Sequence, residues 1–142
     1  MKTSESRYRQ CMYFASNALA RKMEKLASEN WAKVDLSPSH AYLLMIAIEE
    51  PGVQPGKLAG ELQLKPSTVT RLLEKLEDKK LVVRITEGKN TNVYATPKGQ
   101  ELLPVLKRCV DDFYHGYAHI LGPNEGANML SSMNKLSDAL PE

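Results

Sequence analysis

The chain is short of cysteine, of aromatics and of long apolar runs, and each shortage removes a class of function. Two cysteines in 142 residues, Cys11 and Cys109, are too few for a disulfide framework and too widely spaced for a zinc ribbon. Phe, Trp and Tyr together make up only 6%. No apolar stretch approaches the roughly 20 residues that cross a bilayer. Met1-Lys2-Thr3-Ser4-Glu5-Ser6-Arg7 has no apolar signal core behind it, so a cytoplasmic location is expected. There is no glycine-rich phosphate loop, nucleophile–base pair or paired-carboxylate site at usable spacing, so an enzyme is not expected. Nothing in the pattern asks for a cofactor, and no metal set is assigned.

Charge is also scarce overall, with a net of +2, but it is unevenly placed. Between Gln63 and Gly99 eight basic side chains (Lys65, Arg71, Lys75, Lys79, Lys80, Arg84, Lys89 and Lys98) face four acids (Glu74, Glu77, Asp78 and Glu87), a local net of +4. A local basic face is what phosphate contacts require, and it is also what an ordinary solvated surface looks like.

Periodicity supplies the elements. Residues 6–29 read as one long helix whose apolar positions Tyr8, Met12, Ala15, Leu19, Met23 and Leu26 alternate steps of four and three. Such a stripe needs a partner surface. Trp31, just beyond, is expected at a dimer edge. Ser37-Pro38 caps a second, almost wholly apolar helix that Pro51-Gly52 stops. A short helix follows from Pro55 to Leu62, with Leu58, Ala59 and Leu62 inward. Another runs from Pro66 to about Lys79, with Val69, Leu72, Leu73 and Leu76 inward. Its other side carries Ser67, Arg71, Glu74 and Lys75, with Thr68 and Thr70 on the flanks.

The period then changes to β-branched runs at Leu81–Ile85 and Asn92–Thr96, with Thr86–Thr91 as a turn-rich tip. Thr96-Pro97 caps a fifth helix reaching Leu121, in which Pro104 should introduce a kink. Gly122-Pro123-Asn124 breaks the chain, and a last helix carries Met129, Leu130, Met133, Leu136 and Leu140. The expected fold is mostly α with a small β-hairpin: a winged helix-turn-helix over residues 36–99, flanked by dimerisation helices over 1–35 and 100–142.

In that fold the helix starting at Pro66 enters the major groove of duplex DNA. The expected DNA contacts are Lys65, Ser67, Thr68, Thr70, Arg71, Lys75 and Arg84, with Lys89 and Asn90 at the hairpin tip reaching backbone or minor groove. The alternative use of the same surface is a winged helix that binds protein.

Residues 58–84, LAGELQLKPSTVTRLLEKLEDKKLVVR, together with Tyr94-Ala95-Thr96-Pro97-Lys98-Gly99, resemble the MarR family of winged-helix transcription regulators. The resemblance covers Leu36 to Leu103, about half the chain. It implies a homodimer on a roughly palindromic operator, usually a repressor released by a small molecule or an oxidant. Three positions depart from the family pattern. Glu87-Gly88-Lys89 stands where an Asp-x-Arg pair is usual in the wing. Lys80 stands where a glycine is usual and so should adopt a left-handed backbone. Lys65 stands in place of a capping Ser or Thr.

The resemblance also places an effector pocket between the helices and the DNA lobe, with Tyr13, His40 and Tyr42 as lining candidates. Cys11 approximates the position of the sensing cysteine in peroxide-responsive members, with Cys109 as a possible second thiol. His115 and His119, four apart and a turn beyond Asp111, have a spacing that could hold zinc or simply form an exposed helix face.

Overall fold

A computed structural model describes all 142 residues. Seven α-helices and one two-stranded antiparallel sheet follow in the order α1 (Met12–Trp31), α2 (Pro38–Glu49), α3 (Pro55–Leu62), α4 (Pro66–Asp78), β1 (Val82–Glu87), β2 (Asn90–Ala95), α5 (Pro97–Glu101), α6 (Leu103–Leu121) and α7 (Pro123–Ala139). Single-turn 3-10 helices lie at Thr3–Glu5 and Ala32–Val34. The fold is mostly helical with a small hairpin, as the periodicity predicts.

Local chemistry explains most of the boundaries. The Ser37 hydroxyl accepts the His40 N–H and caps α2, with Pro38 at the first position, where a missing donor costs nothing. Thr96 does the same for α5, accepting the Gly99 N–H at 3.0 Å. Lys65 occupies the N-cap of α4 and its side chain caps nothing, as its replacement of Ser or Thr implies. Lys80 has φ 61, the left-handed backbone expected of it.

Four expectations need correction. The first helix begins at Met12 rather than Ser6, because Cys11 is extended and residues 7–10 form turns. Tyr8 still follows the apolar stripe, but it reaches it from that turn, its ring 5.9 Å from Phe14. The helix after Thr96 is two helices, broken at Leu102. Pro104 therefore sits in the first turn of α6 and bends nothing, since no carbonyl one turn back lies within the same helix. The wing strands are longer than Leu81–Ile85 and Asn92–Thr96 suggest. Glu87 pairs with Asn90 and Thr86 with Thr91, leaving only Gly88-Lys89 as the turn. Gly88 supplies the positive φ that such a two-residue connection needs. Finally, Trp31 is 0% exposed within the single chain and lies at no edge. Tyr42 and Phe113 close on it with ring centroids at 5.3 and 5.6 Å.

The core runs through the winged-helix region and stops short of the C-terminus. Leu43, Leu44, Leu58, Val69, Leu73, Leu76, Val93 and Leu106 are fully buried. The inward face expected for α4 is therefore the observed one. The Tyr94–Gly99 segment ties this lobe together. Thr96 donates its hydroxyl to the Lys80 carbonyl at 2.7 Å, the Thr96 N–H donates to the Leu81 carbonyl at 3.0 Å, and the Lys98 ammonium caps the Lys79 carbonyl at 3.1 Å. By contrast α7 buries no residue, and Ile120, Leu130, Met133, Leu136 and Leu140 stand in solvent. No helix is long and apolar enough to cross a membrane.

Candidate nucleic-acid interface

The turn between α3 and α4 fixes how α4 is presented. Gln63 ends α3 with φ 53, and its side-chain amide donates to the Gly60 carbonyl at 2.7 Å. The Leu64 N–H closes back on the Ala59 carbonyl at 3.0 Å. Three residues thus separate the helices, and the buried face of α4 leaves its N-terminal turns pointing away from the lobe.

The nine expected contacts divide into groups. Ser67 and Arg71 lie exposed on the outward face of α4, and Arg71 makes no ion pair. Lys65 is exposed at its N-terminal end, where the helix dipole adds to its charge. Thr68 is half-buried, and the Thr70 hydroxyl donates back to the Pro66 carbonyl at 3.1 Å. Both retain little freedom to donate outward. Arg84 is held by Glu77 at 2.6 Å on the side of the lobe. Lys89 sits in the wing turn, while Asn90 belongs to β2 rather than to the tip. Glu74 and Asp78 are exposed further along α4, so its positive character is confined to the first turns.

Lys75 takes a different place. It lines a cavity of about 420 Å³ with Lys79, Asp35, Ser28, Ser37 and His40, bounded by α1, α2 and α4. Lys79 is bound there to the Asp35 carboxylate at 2.7 Å and to its carbonyl at 2.9 Å. This ion pair holds the Asp35 carboxyl below its ordinary value. Burial, followed by the fields of Lys75 and Lys79, pushes the His40 imidazole below its ordinary value. Of the three effector-pocket candidates only His40 lines this cavity. Tyr42 packs on Trp31, and Tyr13 is 79% exposed. Lys79, Asp35 and Ser28 were not singled out from the sequence; the i, i+4 spacing of Lys75 and Lys79 on α4 was the signal for the first of them.

The sensor candidates do not converge within one chain. Cys11 is exposed at the start of α1, whereas Cys109 is buried with its thiol against the Asn30 carbonyl. The Nδ1 atoms of His115 and His119 are engaged with the carbonyls of Asp111 and His115. A second ion pair, Lys33 with Asp112 at 2.8 Å, joins the end of α1 to α6; it holds the ammonium above and the carboxyl below their ordinary values.

Residues 34–90 match a family model described as "MarR family". An uncharacterised helix-turn-helix transcriptional regulator of Bacillus subtilis, YybA, is 25% identical over 93 residues, which is 63% of this chain and 62% of that protein. A riboflavin kinase of Thermococcus kodakarensis is 47% identical over 47 residues, 33% of this chain and 22% of the kinase. The chain thus matches less than two thirds of the length of either relative. Among solved structures, S. aureus MepR in complex with DNA superposes with a TM-score of 0.81 at 21% identity, covering 91% of this chain and 98% of that one. CouR from Rhodococcus jostii RHA1, bound to p-coumaroyl-CoA, superposes with a TM-score of 0.80 at 21% identity, covering 100% and 99%. At these identities the likeness establishes a shared winged-helix architecture across the chain, flanking helices included.

Proposed function

The chain belongs to the MarR family of transcription regulators, and we propose that it is a cytoplasmic repressor that binds a roughly palindromic operator as a homodimer and is released by a small molecule. The observation that carries this reading is the N-terminal half of α4. It presents Arg71 and Ser67 outward, with Lys65 at its end and Lys89 on the adjacent wing. A guanidinium free of intramolecular carboxylates can form the bidentate contact to guanine that most often specifies a base pair. MepR, of the same architecture, is found in complex with DNA.

The unpartnered helices support the dimer. Leu19 and Met23 of α1, Tyr114 and Tyr117 of α6, and Leu130 and Met133 of α7 line one apolar groove. An exposed apolar patch of this kind, bordered by the bare face of α7, fits a second copy of the chain. Residues 1–35 and 100–142 are then the dimerisation helices, and residues 36–99 the DNA-binding unit. Release by a small molecule draws support from CouR, whose complex holds p-coumaroyl-CoA.

Two further readings each rest on one observation. Val83 and Ile85 stand exposed on β1, which would suit a winged helix that binds protein. The exposed Cys11 thiol would suit an oxidant as the releasing signal. The kinase relative shares only a fifth of its own length with the chain, which is too little to carry an enzymatic reading.

The test is selection of bound sequences from random duplex DNA, followed by a salt series on the selected site. An enriched inverted repeat whose affinity falls steeply with salt is expected. Arg71→Ala should weaken that binding by about 1–3 kcal/mol and relax preference at one base pair of each half-site. No enrichment, or an unchanged affinity in Arg71→Ala, would remove the assignment of this face.

A further inference from the structure

The cavity beside α4 has a charge balance that points to an occupant. Lys79 and Asp35 neutralise each other across 2.7 Å. Lys75 has no carboxylate partner, so the walls carry one unbalanced positive charge. The Ser37 oxygen accepts the backbone N–H of His40 and is also in contact with Nδ1 of its ring. With that lone pair filled, the Ser37 hydroxyl hydrogen is directed to Nδ1, and the ring proton resides on Nε2. His40 is thereby a neutral donor beside a cation. Its depressed proton affinity reports the same positive field from Lys75 and Lys79, acting after the larger effect of burial. The volume, about 420 Å³, is within the range of small-ligand sites.

We propose that this cavity binds a small organic monocarboxylate, with the Lys75 ammonium as its counter-ion and the His40 ring as a hydrogen-bond donor to its second oxygen. One charge and two donors match one carboxylate, whereas a phosphate dianion would leave a charge unanswered. Lys75 lies on the same helix as Arg71, one turn further on. An occupant that holds Lys75 against the ends of α1 and α2 ties the pose of α4 to the ligand and lowers operator affinity. The regulatory half of the inference rests on the DNA-binding reading above; the binding half does not.

The two halves are separable by calorimetry on the DNA-free protein at constant ionic strength, with butyrate, its neutral isostere butyramide, and inorganic phosphate as probes. Saturable butyrate binding is expected, with none for butyramide. About tenfold weaker binding is expected in Lys75→Gln, which loses one charged hydrogen bond, and in Ala32→Glu, which places a carboxylate on the cavity wall. Unaltered melting temperatures of the two variants would show that the loss is local. Absence of butyrate binding, equal binding by both variants, or tighter binding of phosphate than of butyrate each overturns the proposal. Operator affinity of the wild-type protein is then measured with and without butyrate. Intact DNA binding that ignores bound butyrate overturns the regulatory half. Butyrate binding in a protein that selects no DNA leaves the site standing and removes the proposed function instead.

Discussion

Gly99→Ala sets two effects of opposite sign against each other. Gly99 lies in α5, where alanine is the better helix former by up to about 1 kcal/mol. On helix propensity alone the variant would be more stable. The surroundings say otherwise. A Cβ on Gly99 would sit far inside van der Waals distance of the Leu81 carbonyl oxygen and 3.2 Å from Leu44 Cδ1 and from the Leu81 carbonyl carbon. The first of these neighbours is backbone and cannot rotate away, so α5 and the Leu81 segment would have to part by roughly 1 Å to restore ordinary contact. That carbonyl also accepts the Thr96 N–H at 3.0 Å, and Thr96 is bound in turn to the Lys80 carbonyl. Overpacking costs about 1–3 kcal/mol, and a weakened hydrogen bond adds about 0.5–1.5 kcal/mol. Less the helix gain, the net is a destabilisation of about 1–3 kcal/mol. In a domain of this size that lowers the melting temperature by roughly 4–10 °C. Thermal unfolding followed by circular dichroism at 222 nm would measure it. A melting temperature equal to or above wild type would refute the claim that the backbone approach, rather than helix propensity, decides this position.

Three other outcomes follow from the geometry. Lys80→Gly should raise stability by about 0.5–1 kcal/mol, because glycine holds φ 61 without the strain a side chain brings; chemical denaturation showing no gain would contradict this. His40 is depressed in the folded chain, by burial first and by Lys75 and Lys79 next. The unfolded chain therefore binds more protons there, and stability falls as pH drops below the unfolded value near 6.5. His40→Gln should flatten that fall in melting temperature on the acid side of neutrality, with the Asp35–Lys79 pair left in place; an unchanged pH profile would exclude His40 as its source. Alkylation of the native protein should label Cys11 and spare Cys109 until denaturant is added; equal rates at both thiols would disprove the burial of Cys109.

Much of the fold was readable because its elements are marked by strong local chemistry. Ser37-Pro38, Gln54-Pro55, Lys65-Pro66 and Thr96-Pro97 each start a helix at the position where proline is tolerated, and the inward faces of α3 and α4 follow from spacing alone. The errors arose where non-local contacts decide. The stripe through Tyr8 continues past the true start of α1 because the turn before Cys11 also directs Tyr8 onto Phe14. The burial of Trp31 depends on Phe113, over eighty positions away in the chain, and no local pattern reports that. The site was legible as a set of polar residues on α4, but not in its divisions. Whether Arg71 is unpaired, Arg84 is bound to Glu77 and Lys75 turns toward His40 depends on which flank of α4 meets which neighbour. Helical periodicity gives the angle of each residue on α4, and only the packed lobe gives what lies there.

The interruption at Leu102 has a mechanical consequence. A continuous rod from Pro97 to Leu121 would hold the DNA lobe and the far end of the dimer arm at one fixed angle. Here α6 is a separate lever of 19 residues, about 28 Å long, pivoting on a single residue at its base. A turn of about 5° at that pivot displaces the far end by roughly 2–3 Å over this length. In the proposed dimer, two such levers would trade small local movements for larger changes in the span between the recognition helices. Tolerance to half-site spacing would then be set at Leu102 rather than in the groove.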